Sequence, residues 1–501
     1  MIPCFAQTKF QKIYRVPGGN GGSSGTVTRD GGYLLTGTTS IFGAGLNDIL
    51  VVKTDNLGDI EWTRTYGDAE EDMSYSVKQT FDNGFIIAGT TRGSGLGDFD
   101  MYLLKIDSIG NFEWVKQFGS QEGEYGWDVQ QTTDSGYVIV GSTGNTAPCC
   151  DTDLYLLRTN SAGHLLWLKS YHGNSVHEYG MSLQQTSDKG FIICGSIDAK
   201  VWLLKIDSVG AKLWSKEFGR GRATCVRQTT DRGYILTGLD FYNSDNIILL
   251  KTDSTGKLQW GNRYQSGTHA EMGNSVRQTA DGGYIVTGQA DNSGSYDAFL
   301  LKTDALGNTM WTKKYGNESH EFGNVVELTD DGGYAIFGYI INNSLGLRGA
   351  FFVKTDEFGN SDCNFNDYVF NKRKLTNASV PITFASPTGA HIRTPIVTVG
   401  SGGSDTSLCL INSIPKENHD QGIKSILHNP ATGICNLSFF NEIRRGRIEV
   451  YNLMGELIYD DDFVNSTSVE VSFKNVKMGI YIFKVFDGDK QYLKKGLLST
   501  Y

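Results

Sequence analysis

Proline, cysteine and long apolar runs are all scarce in this chain of 501 residues. Only 8 residues are proline, well below the usual share of about 5 %, which excludes a collagen-like chain. Eight cysteines are too few for a disulfide scaffold of this length. No apolar run reaches the roughly 18 residues that a membrane-spanning helix needs.

Positive charge is lacking too. The chain has 45 Lys and Arg against 55 Asp and Glu, a net charge of −10, which argues against non-specific nucleic-acid binding because that needs a positive surface. Apolar residues make up 39 % and aromatic residues 12 %, so the chain is not a disordered one. Glycine is abundant, at 62 residues, and this predicts a globular protein with many turns that need positive φ.

Two short strings recur seven times along the chain. The first places Asp and Gly before an aromatic residue, at Tyr33, Phe85, Tyr137, Phe191, Tyr234, Tyr284 and Tyr334. The second is KTDNLG or a variant of it, beginning at Lys53, Lys105, Arg158, Lys205, Lys251, Lys302 and Lys354. In six copies a tryptophan follows four residues after the last glycine of the second string, and the seventh has Cys363 there.

Each copy has the pattern of four strands. In the sixth these are 275–279, 283–288, 297–303 and 308–315, and the Asp-x-x-Gly between the last two is a hairpin turn. No stretch has a sustained helical period. The sequence therefore predicts an all-β fold, with a seven-bladed β-propeller over residues 7–363. The seventh copy lacks its fourth strand, and residues 9–14 resemble one, so we expect the N-terminal strand to complete the seventh blade.

These repeats resemble a secreted bacterial β-propeller repeat family with the signature D-x-F/Y-L-x-K-x-D-x-x-G-x-x-x-W, over about residues 9–363. The resemblance implies a propeller but no single activity. A weaker similarity links the repeats to the Trp-bearing repeats of quinoprotein dehydrogenases. At the start of the chain, residues 1–6 (MIPCFA) resemble the end of a signal peptide with Ala6 at the cleavage site. We interpret them as a signal-peptide remnant.

The remainder of the chain has a different composition. Residues 364–422 form a Ser/Thr-rich connector, and the period-two pattern of residues 423–501 predicts a small immunoglobulin-like β-sandwich. The motifs NPA, V-Y-N-L-x-G and G-I-Y-x-F-K-V precede a basic tail. Their key residues are Asn429, Pro430, Tyr451, Asn452, Gly455, Gly479, Tyr481, Lys494 and Lys495.

This last region resembles the type A C-terminal sorting domain of the type IX secretion system of Bacteroidetes. The resemblance implies that the secretion machinery is a partner and that the protein is secreted or held at the outer-membrane surface. A plain sandwich with a binding role is the alternative for this region.

Acidic residues recur in the loop that enters the first strand of five copies, at Asp72, Glu124, Glu178, Glu271 and Glu321. If the first strands line a channel, these carboxylates would surround one mouth and bind a cation or another ligand. Turn capping by side-chain hydrogen bonds is the simpler interpretation. Three histidines, His177, His269 and His320, lie beside this set, but equivalent positions in separate blades are too far apart for one metal ion.

A second acidic set precedes the third strand, at Asp48, Asp100, Asp153, Asp245 and Asp297. Calcium could use such a loop, but no complete set of oxygen ligands is visible in the sequence. Turn capping is again the simpler interpretation, and no cofactor is expected.

Adjacent cysteines occur once, at Cys149 and Cys150, and adjacent cysteines can close a strained disulfide ring. Quinoprotein alcohol dehydrogenases use such a pair, which makes a pyrroloquinoline-quinone-dependent enzyme the alternative function. Another bond, between Cys363 and Cys409, could bracket the connector; Cys194, Cys225 and Cys435 are further candidates. The favoured interpretation is a non-enzymatic binding or scaffold protein that recognises an extracellular glycan or protein through loops of one propeller face.

Overall fold

The computed structural model describes two compact units, residues 1–413 and 414–501. The described residues are 8–15, 21–40, 43–44, 46–92, 98–120, 123–144, 152–171, 177–241, 246–266, 270–292, 294–316, 319–342, 347–362, 365–374, 380–381, 391–393, 398–400, 404–407, 423–429, 434–452, 457–472, 479–487 and 490–498. Strands and turns make up these ranges, which contain no α-helix. No helix within them could span a membrane. The signal-peptide remnant at residues 1–6 lies outside them.

The first unit contains strand β1, which pairs with the last sheet of the repeats, and then a series of four-stranded antiparallel sheets. Strand β1 is Phe10–Arg15. Sheet 1 contains β2 (Gly21–Val27), β3 (Tyr33–Thr39), β4 (Asp48–Thr54) and β5 (Ile60–Gly67). Sheet 2 contains β6 (Asp72–Gln79), β7 (Phe85–Thr91), β8 (Asp100–Ile106) and β9 (Phe112–Gly119). Sheet 3 contains β10 (Gly123–Gln131), β11 (Tyr137–Gly144), β12 (Thr152–Thr159) and β13 (Leu165–Tyr171).

The same arrangement continues through four more sheets. Sheet 4 contains β14 (Glu178–Gln185), β15 (Phe191–Ile197), β16 (Lys200–Ile206) and β17 (Lys212–Arg220). Sheet 5 contains β18 (Arg222–Gln228), β19 (Tyr234–Asp240), β20 (Asn246–Thr252) and β21 (Leu258–Gln265). Sheet 6 contains β22 (Glu271–Gln278), β23 (Tyr284–Asn292), β24 (Ser295–Thr303) and β25 (Thr309–Tyr315). Sheet 7 contains β26 (His320–Leu328), β27 (Tyr334–Asn342) and β28 (Leu347–Thr355).

The seven sheets follow one another in a closed cycle. The first strand of each sheet contacts the first strand of the next, and β26 of sheet 7 contacts β2 of sheet 1. These first strands therefore surround the centre of the ring, and the fourth strands lie at its outside. The all-β prediction is confirmed.

Strand β1 supplies the fourth strand of sheet 7, as the sequence predicted. It pairs antiparallel with β28, from Phe10 opposite Lys354 to Arg15 opposite Gly349. Phe10, Ile13 and Tyr14 are buried there. The first strand of the chain and the last sheet of the ring are thus joined by a full ladder of backbone hydrogen bonds.

Contacts between neighbouring sheets repeat around the ring. In six of the seven junctions the Asp-x-x-Gly hairpin of one sheet packs beneath an aromatic ring from the fourth strand of the preceding sheet, and at Gly210 the side chain of Lys169 takes that place. At Gly110, where φ is +82°, a Cβ atom would lie 2.9 Å from the Trp62 ring. At Gly58 the ring is that of Phe10 from β1. Phe10 therefore takes the tryptophan's place where the seventh copy departs from the repeat.

A tyrosine hydroxyl joins each of five junctions. It donates from a fourth strand to the carbonyl of the hairpin glycine in the next sheet, over 2.5–2.8 Å. The pairs are Tyr14–Gly58, Tyr66–Gly110, Tyr171–Gly210, Tyr264–Gly307 and Tyr315–Gly359. Such bonds within a low-dielectric junction contribute about 1 kcal/mol each.

The two recurring strings of the sequence meet within every sheet. The aspartate of the first string forms an ion pair with the Lys or Arg that opens the second. The pairs are Asp30–Lys53, Asp82–Lys105, Asp134–Arg158, Asp188–Lys205, Asp231–Lys251, Asp281–Lys302 and Asp331–Lys354. In the six lysine pairs the N–O distance is 2.7–3.1 Å and the lysine side chain is no more than 6 % exposed. The repeat in the sequence is therefore a repeat of contacts.

The connector adds a further strand to six of the sheets. Its strands are β29 (Phe365–Asp367), β30 (Asn371–Lys374), β31 (Val380–Pro381), β32 (His391–Arg393), β33 (Thr398–Gly400) and β34 (Ser404–Ser407). They pair in turn with the outer strands of sheets 6, 5, 4, 2, 1 and 7. We call residues 365–407 the belt. Sheet 3 has four strands among the described residues, and residues 382–390, between β31 and β32, lie outside those residues.

The second unit is a five-stranded antiparallel arrangement. Its strands are β35 (Ile423–Asn429), β36 (Ile434–Asn452), β37 (Leu457–Ser472), β38 (Gly479–Asp487) and β39 (Lys490–Leu498). The long strand β36 pairs with β35, β37 and β38, and β38 pairs with β39. Its apolar core includes Leu437, Ile448, Val450, Val471 and Phe483, all fully buried. This unit has its own core.

Candidate functional site

The first strands of the sheets line a cavity at the centre of the ring. In sheet 2 the side chain of Val77 enters the junction core, so Ser76 and Lys78 project to the opposite face by the two-residue alternation of a strand. All seven first strands contain a β-bulge just before this segment, and bulges commonly redirect side chains near functional sites. The cavity has a volume of about 690 Å³ and is lined from sheets 2 to 7.

The position equivalent to Lys78 has a different character in different sheets. Around the ring it is Thr26, Lys78, Gln130, Gln184, Arg227, Arg277 and Glu327. The backbone N–H of Gln185 donates to Gln130 Oε1, and that of Gln228 donates to Gln184 Oε1, each at 2.6 Å. These two glutamines therefore tie neighbouring first strands together. The charged members of the position determine what the cavity can bind.

One anion and one cation of the cavity neutralise each other. Arg277 donates to both carboxylate oxygens of Glu327, at 3.0 Å from Nε and through a second, shorter contact from Nη2. This is the bidentate geometry that makes guanidinium–carboxylate pairs strong. Burial raises the pKa of Glu327, but Arg277 and Lys78 overcome that effect and hold the pKa below its usual range. Glu327 is thus ionised and paired.

A second carboxylate, Asp128, lies two residues before Gln130 on the first strand of sheet 3. It accepts from Ser76 Oγ at 2.8 Å, from Ser182 Oγ at 3.0 Å and from the N–H of Leu183 at 3.1 Å. Arg227 Nη1 donates to Ser182 Oγ at 3.2 Å. Asp128 therefore bridges sheets 2, 3 and 4 through neutral donors, and no cation among the described residues bonds to it directly.

Lys78 is the cation of the cavity with no direct partner. Within the described part of the chain its ammonium makes no hydrogen bond and no ion pair. Burial lowers its pKa, an effect opposed by Asp128 and Glu327 and reinforced by Arg227 and Arg277. These four groups belong to sheets 3, 7, 5 and 6, so Lys78 from sheet 2 is near charges from much of the ring.

The five acidic residues predicted to surround a channel mouth are all buried, with side chains 0–1 % exposed. Asp72 accepts from the N–H of Asp68, Glu124 from the N–H of Ser120, and Glu271 from the N–H of Ser266, at 2.8–3.1 Å. Each bond closes the loop that enters a first strand. This geometry supports the capping interpretation of these residues.

The two acidic sets, treated separately in the sequence, meet at the junctions. Asp48 of the second set and Asp72 of the first both approach Gly67, where an added Cβ atom would collide with both carboxylates. Asp297 and Glu321 meet in the same way at Gly316. Burial raises the pKa of Asp72 to about 7, with smaller contributions from Asp68 and Asp48. The residues that sequence reasoning placed at a ligand site are thus part of the contacts between sheets.

The remaining candidates are only partly described. Cys149, Cys150, Cys363, Cys409 and His269 lie outside the described residues. Cys194 and Cys225 are buried free thiols. Asp245 also lies outside the description. Where the chain is described, no group of three His, Cys, Asp or Glu side chains could hold a metal ion.

Sequence reasoning missed the charged position of the cavity because its residue type varies from sheet to sheet. The constant residues beside it obscured it. The glutamine that follows accepts a backbone N–H from the preceding sheet at 2.7–2.9 Å, in the pairs Arg29–Gln79, Phe81–Gln131, Thr133–Gln185, Ser187–Gln228 and Thr230–Gln278. Aligning the seven copies and asking which inward position varies would have identified Lys78, Arg227, Arg277 and Glu327.

The sorting motifs of the second unit converge on neighbouring strands. Tyr451 of β36 lies opposite Ile482 of β38, which lies opposite Lys495 of β39. Tyr481 lies opposite Asn452, Lys494 opposite Phe483, and Gly479 begins β38. Asn429 ends β35 and pairs with Ile434, while Pro430 and Gly455 are outside the described residues. Motifs far apart in sequence therefore share one sheet.

Residues 425–499 match the family described as the secretion system C-terminal sorting domain. This match indicates secretion through the type IX system to the extracellular space or the cell surface. No curated protein matches the chain.

Two solved structures align with nearly the whole chain at low identity. One is the extracellular domain of a protein assigned to the hybrid two-component systems of B. thetaiotaomicron, with 10 % identity, a TM-score of 0.22, and coverage of 96 % of this chain and 97 % of that chain. The other is the BSP domain of a biofilm-associated protein, with 9 % identity, a TM-score of 0.14, and coverage of 99 % and 97 %. Similarity this low says nothing about fold or function.

Proposed function

We propose that the first unit is a seven-bladed β-propeller that acts as a non-enzymatic binding or scaffold protein outside the cell. Seven four-stranded sheets in a closed cycle, the last completed by β1, support the propeller. The observation that carries the binding role is the central cavity of about 690 Å³, a volume typical of sites for small ligands.

We further propose that residues 423–501 are an immunoglobulin-like sandwich that delivers the protein to the type IX machinery and is then removed. The convergence of the sorting motifs on β36, β38 and β39 supports this. A reporter carrying these residues behind a signal peptide should leave a competent Bacteroidetes host cell. Retention of the reporter in the periplasm would contradict the proposal.

The ligand class we favour is an extracellular glycan or protein. Purified full-length protein should bind a subset of spots on a glycan or matrix array, saturably and in a way that competes with soluble ligand. The alternative, a quinone-dependent dehydrogenase, makes a different prediction. Dye reduction on addition of pyrroloquinoline quinone and calcium, with no binding on the arrays, would replace our proposal with that enzyme.

A further inference from the structure

We propose that the central cavity is a binding site for an oxyanion, the carboxylate or phosphate group of a small ligand, with Lys78 as its principal contact. The inference deepens the proposed binding function by naming a ligand class. It rests on three features of the cavity: an excess of cations, the pairing of its other charges, and the position of Lys78.

The charge of the cavity is opposite to that of the chain. Three cations, Lys78, Arg227 and Arg277, and two anions, Asp128 and Glu327, lie on its wall or beside it, whereas the whole chain carries −10. A cleft with walls of low dielectric constant concentrates the field of such an excess and raises the local concentration of the opposite charge. Anions should therefore enter this cavity in preference to cations.

The other charged groups are already occupied. Arg277 and Glu327 form a bidentate pair, and Asp128 accepts bonds from two serines and the backbone. Arg227 donates to Ser182 and to the carbonyl of Val226. Lys78 alone has no such bond among the described residues, so binding an anion there breaks no existing contact. Arg227 retains further donors in its guanidinium, which can contribute a second contact.

The site also has the right size and setting. A volume of about 690 Å³ accommodates a sugar acid or a phosphorylated compound. The wall combines an exposed aliphatic side chain, Leu328, with the amides of Gln130 and Gln184. An oxyanion that binds at Lys78 would thus have both apolar and hydrogen-bonding surface for the rest of its molecule.

The test is calorimetric titration of the full-length protein with inorganic phosphate, glucuronate and the neutral analogue glucose at low ionic strength. We expect the two anions to bind and glucose not to bind. Lys78→Gln should weaken the binding of both anions at least about tenfold, or about 1.4 kcal/mol. Glu327→Gln should strengthen it, because it removes an anion and releases Arg277.

Lys116→Gln is the matched control. Lys116 belongs to β9, the strand of sheet 2 farthest from the cavity, and like Lys78 it makes no hydrogen bond or ion pair with the described residues. This variant should bind both anions as the wild type does. If Lys78→Gln fails to fold, the increase expected for Glu327→Gln still decides the question.

Failure of the inference can be separated from failure of the proposed function. Anion binding that is absent, or that is unchanged in both Lys78→Gln and Glu327→Gln, overturns the oxyanion site. An array ligand that binds Lys78→Gln normally would then leave the general binding function standing. Anion binding lost in Lys78→Gln, with blank arrays, would support the site and refute recognition of glycans or proteins.

Discussion

The junctions between sheets and the wall of the central cavity are built from the same repeat in opposite ways. At the junctions the same contacts recur: an aromatic ring over a hairpin glycine, a tyrosine hydroxyl on its carbonyl, and a buried acid that closes the loop. At the cavity wall equivalent positions hold Thr26, Lys78, Gln130 or Glu327. The residues that repeat from sheet to sheet therefore stabilise the ring, and the residues that vary determine the chemistry of its cavity.

The largest effect on the ring is expected from removing the strand that closes it. Deletion of residues 7–16 removes β1 and with it the buried side chains of Phe10, Ile13 and Tyr14. At about 1.5–3 kcal/mol for each buried apolar side chain, the loss should exceed roughly 4 kcal/mol. Thermal unfolding followed by circular dichroism should show a sharply lower Tm. Deletion of residues 1–6 alone is the control, and equal Tm values for the two deletions would refute the closure.

The second-largest loss of stability is expected from substitutions in the belt. Phe370 is 4 % exposed and packs edge-on against Phe299 of sheet 6, with ring centroids 5.2 Å apart. Phe370→Ala should destabilise the first unit by about 3 kcal/mol, as expected for a buried phenylalanine. The neighbouring Val369 is 73 % exposed, so Val369→Ala should change the free energy of unfolding by no more than about 0.5 kcal/mol. Similar effects of the two substitutions in denaturant titrations would show that the belt adds no stability.

The buried acids of the junctions should make stability depend on pH. Because the pKa of Asp72 is raised to about 7 in the folded state, the folded protein keeps a proton that the unfolded chain releases above about pH 4. Its contribution to stability is therefore lost as the pH rises from about 4 to 7. Asp72→Asn removes this titration. The free energy of unfolding of the variant, relative to that of the wild type, should therefore increase as the pH is raised from 4 to 8.

The control for this experiment is Asp330→Asn, at an exposed turn residue. It removes one carboxylate from the surface of the same unit and so shows the general effect of losing a negative charge. A difference for Asp72→Asn that is constant from pH 4 to 8 would mean that Asp72 is ionised throughout, and that its loop bonds outweigh its burial.

The smallest effects compare the two regions directly. Tyr66→Phe removes one hydroxyl bond to the Gly110 carbonyl and should cost about 1 kcal/mol. Lys78→Gln, at the cavity wall, should change the free energy of unfolding by less than about 0.5 kcal/mol, because Lys78 has no partner to lose among the described residues. If chemical denaturation shows the same loss of unfolding free energy for Tyr66→Phe and Lys78→Gln, the distinction between the junctions and the cavity wall is refuted.

Much of the first unit could be predicted because its sequence repeats. Seven copies of two strings fixed the number of sheets, and the missing tryptophan at Cys363 pointed to β1 as the closing strand. The ion pairs between the two strings, such as Asp30–Lys53, were not predicted, since period and turn chemistry say nothing about which side chains meet across a sheet. Short β-like runs were visible in the connector, but its pairing with the outer edges of the sheets was not predicted, because strands of two to four residues, such as Val380–Pro381, carry no measurable alternation.

The site was predicted less well. Asp72, Glu124 and Glu271 attracted attention because they recur, yet recurrence follows from a structural need at every junction. Lys78 has a cationic counterpart in only two of the six other sheets, so a search for repeated residues passed over it. Its significance depends on charges from four other sheets, which only the closed ring brings together.

The belt has a consequence for how the ring opens. Strand β1 is paired on one side with β28 and on the other with β34, so the earliest strand of the unit lies between the last strand of the repeats and the last strand of the belt. If the chain is cut so that either β28 or β34 is lost, β1 remains paired with the other of these two strands. The ring is therefore closed by two separate strand pairings, β1 with β28 and β1 with β34. An extracellular protease would have to disrupt both pairings before the sheets could separate.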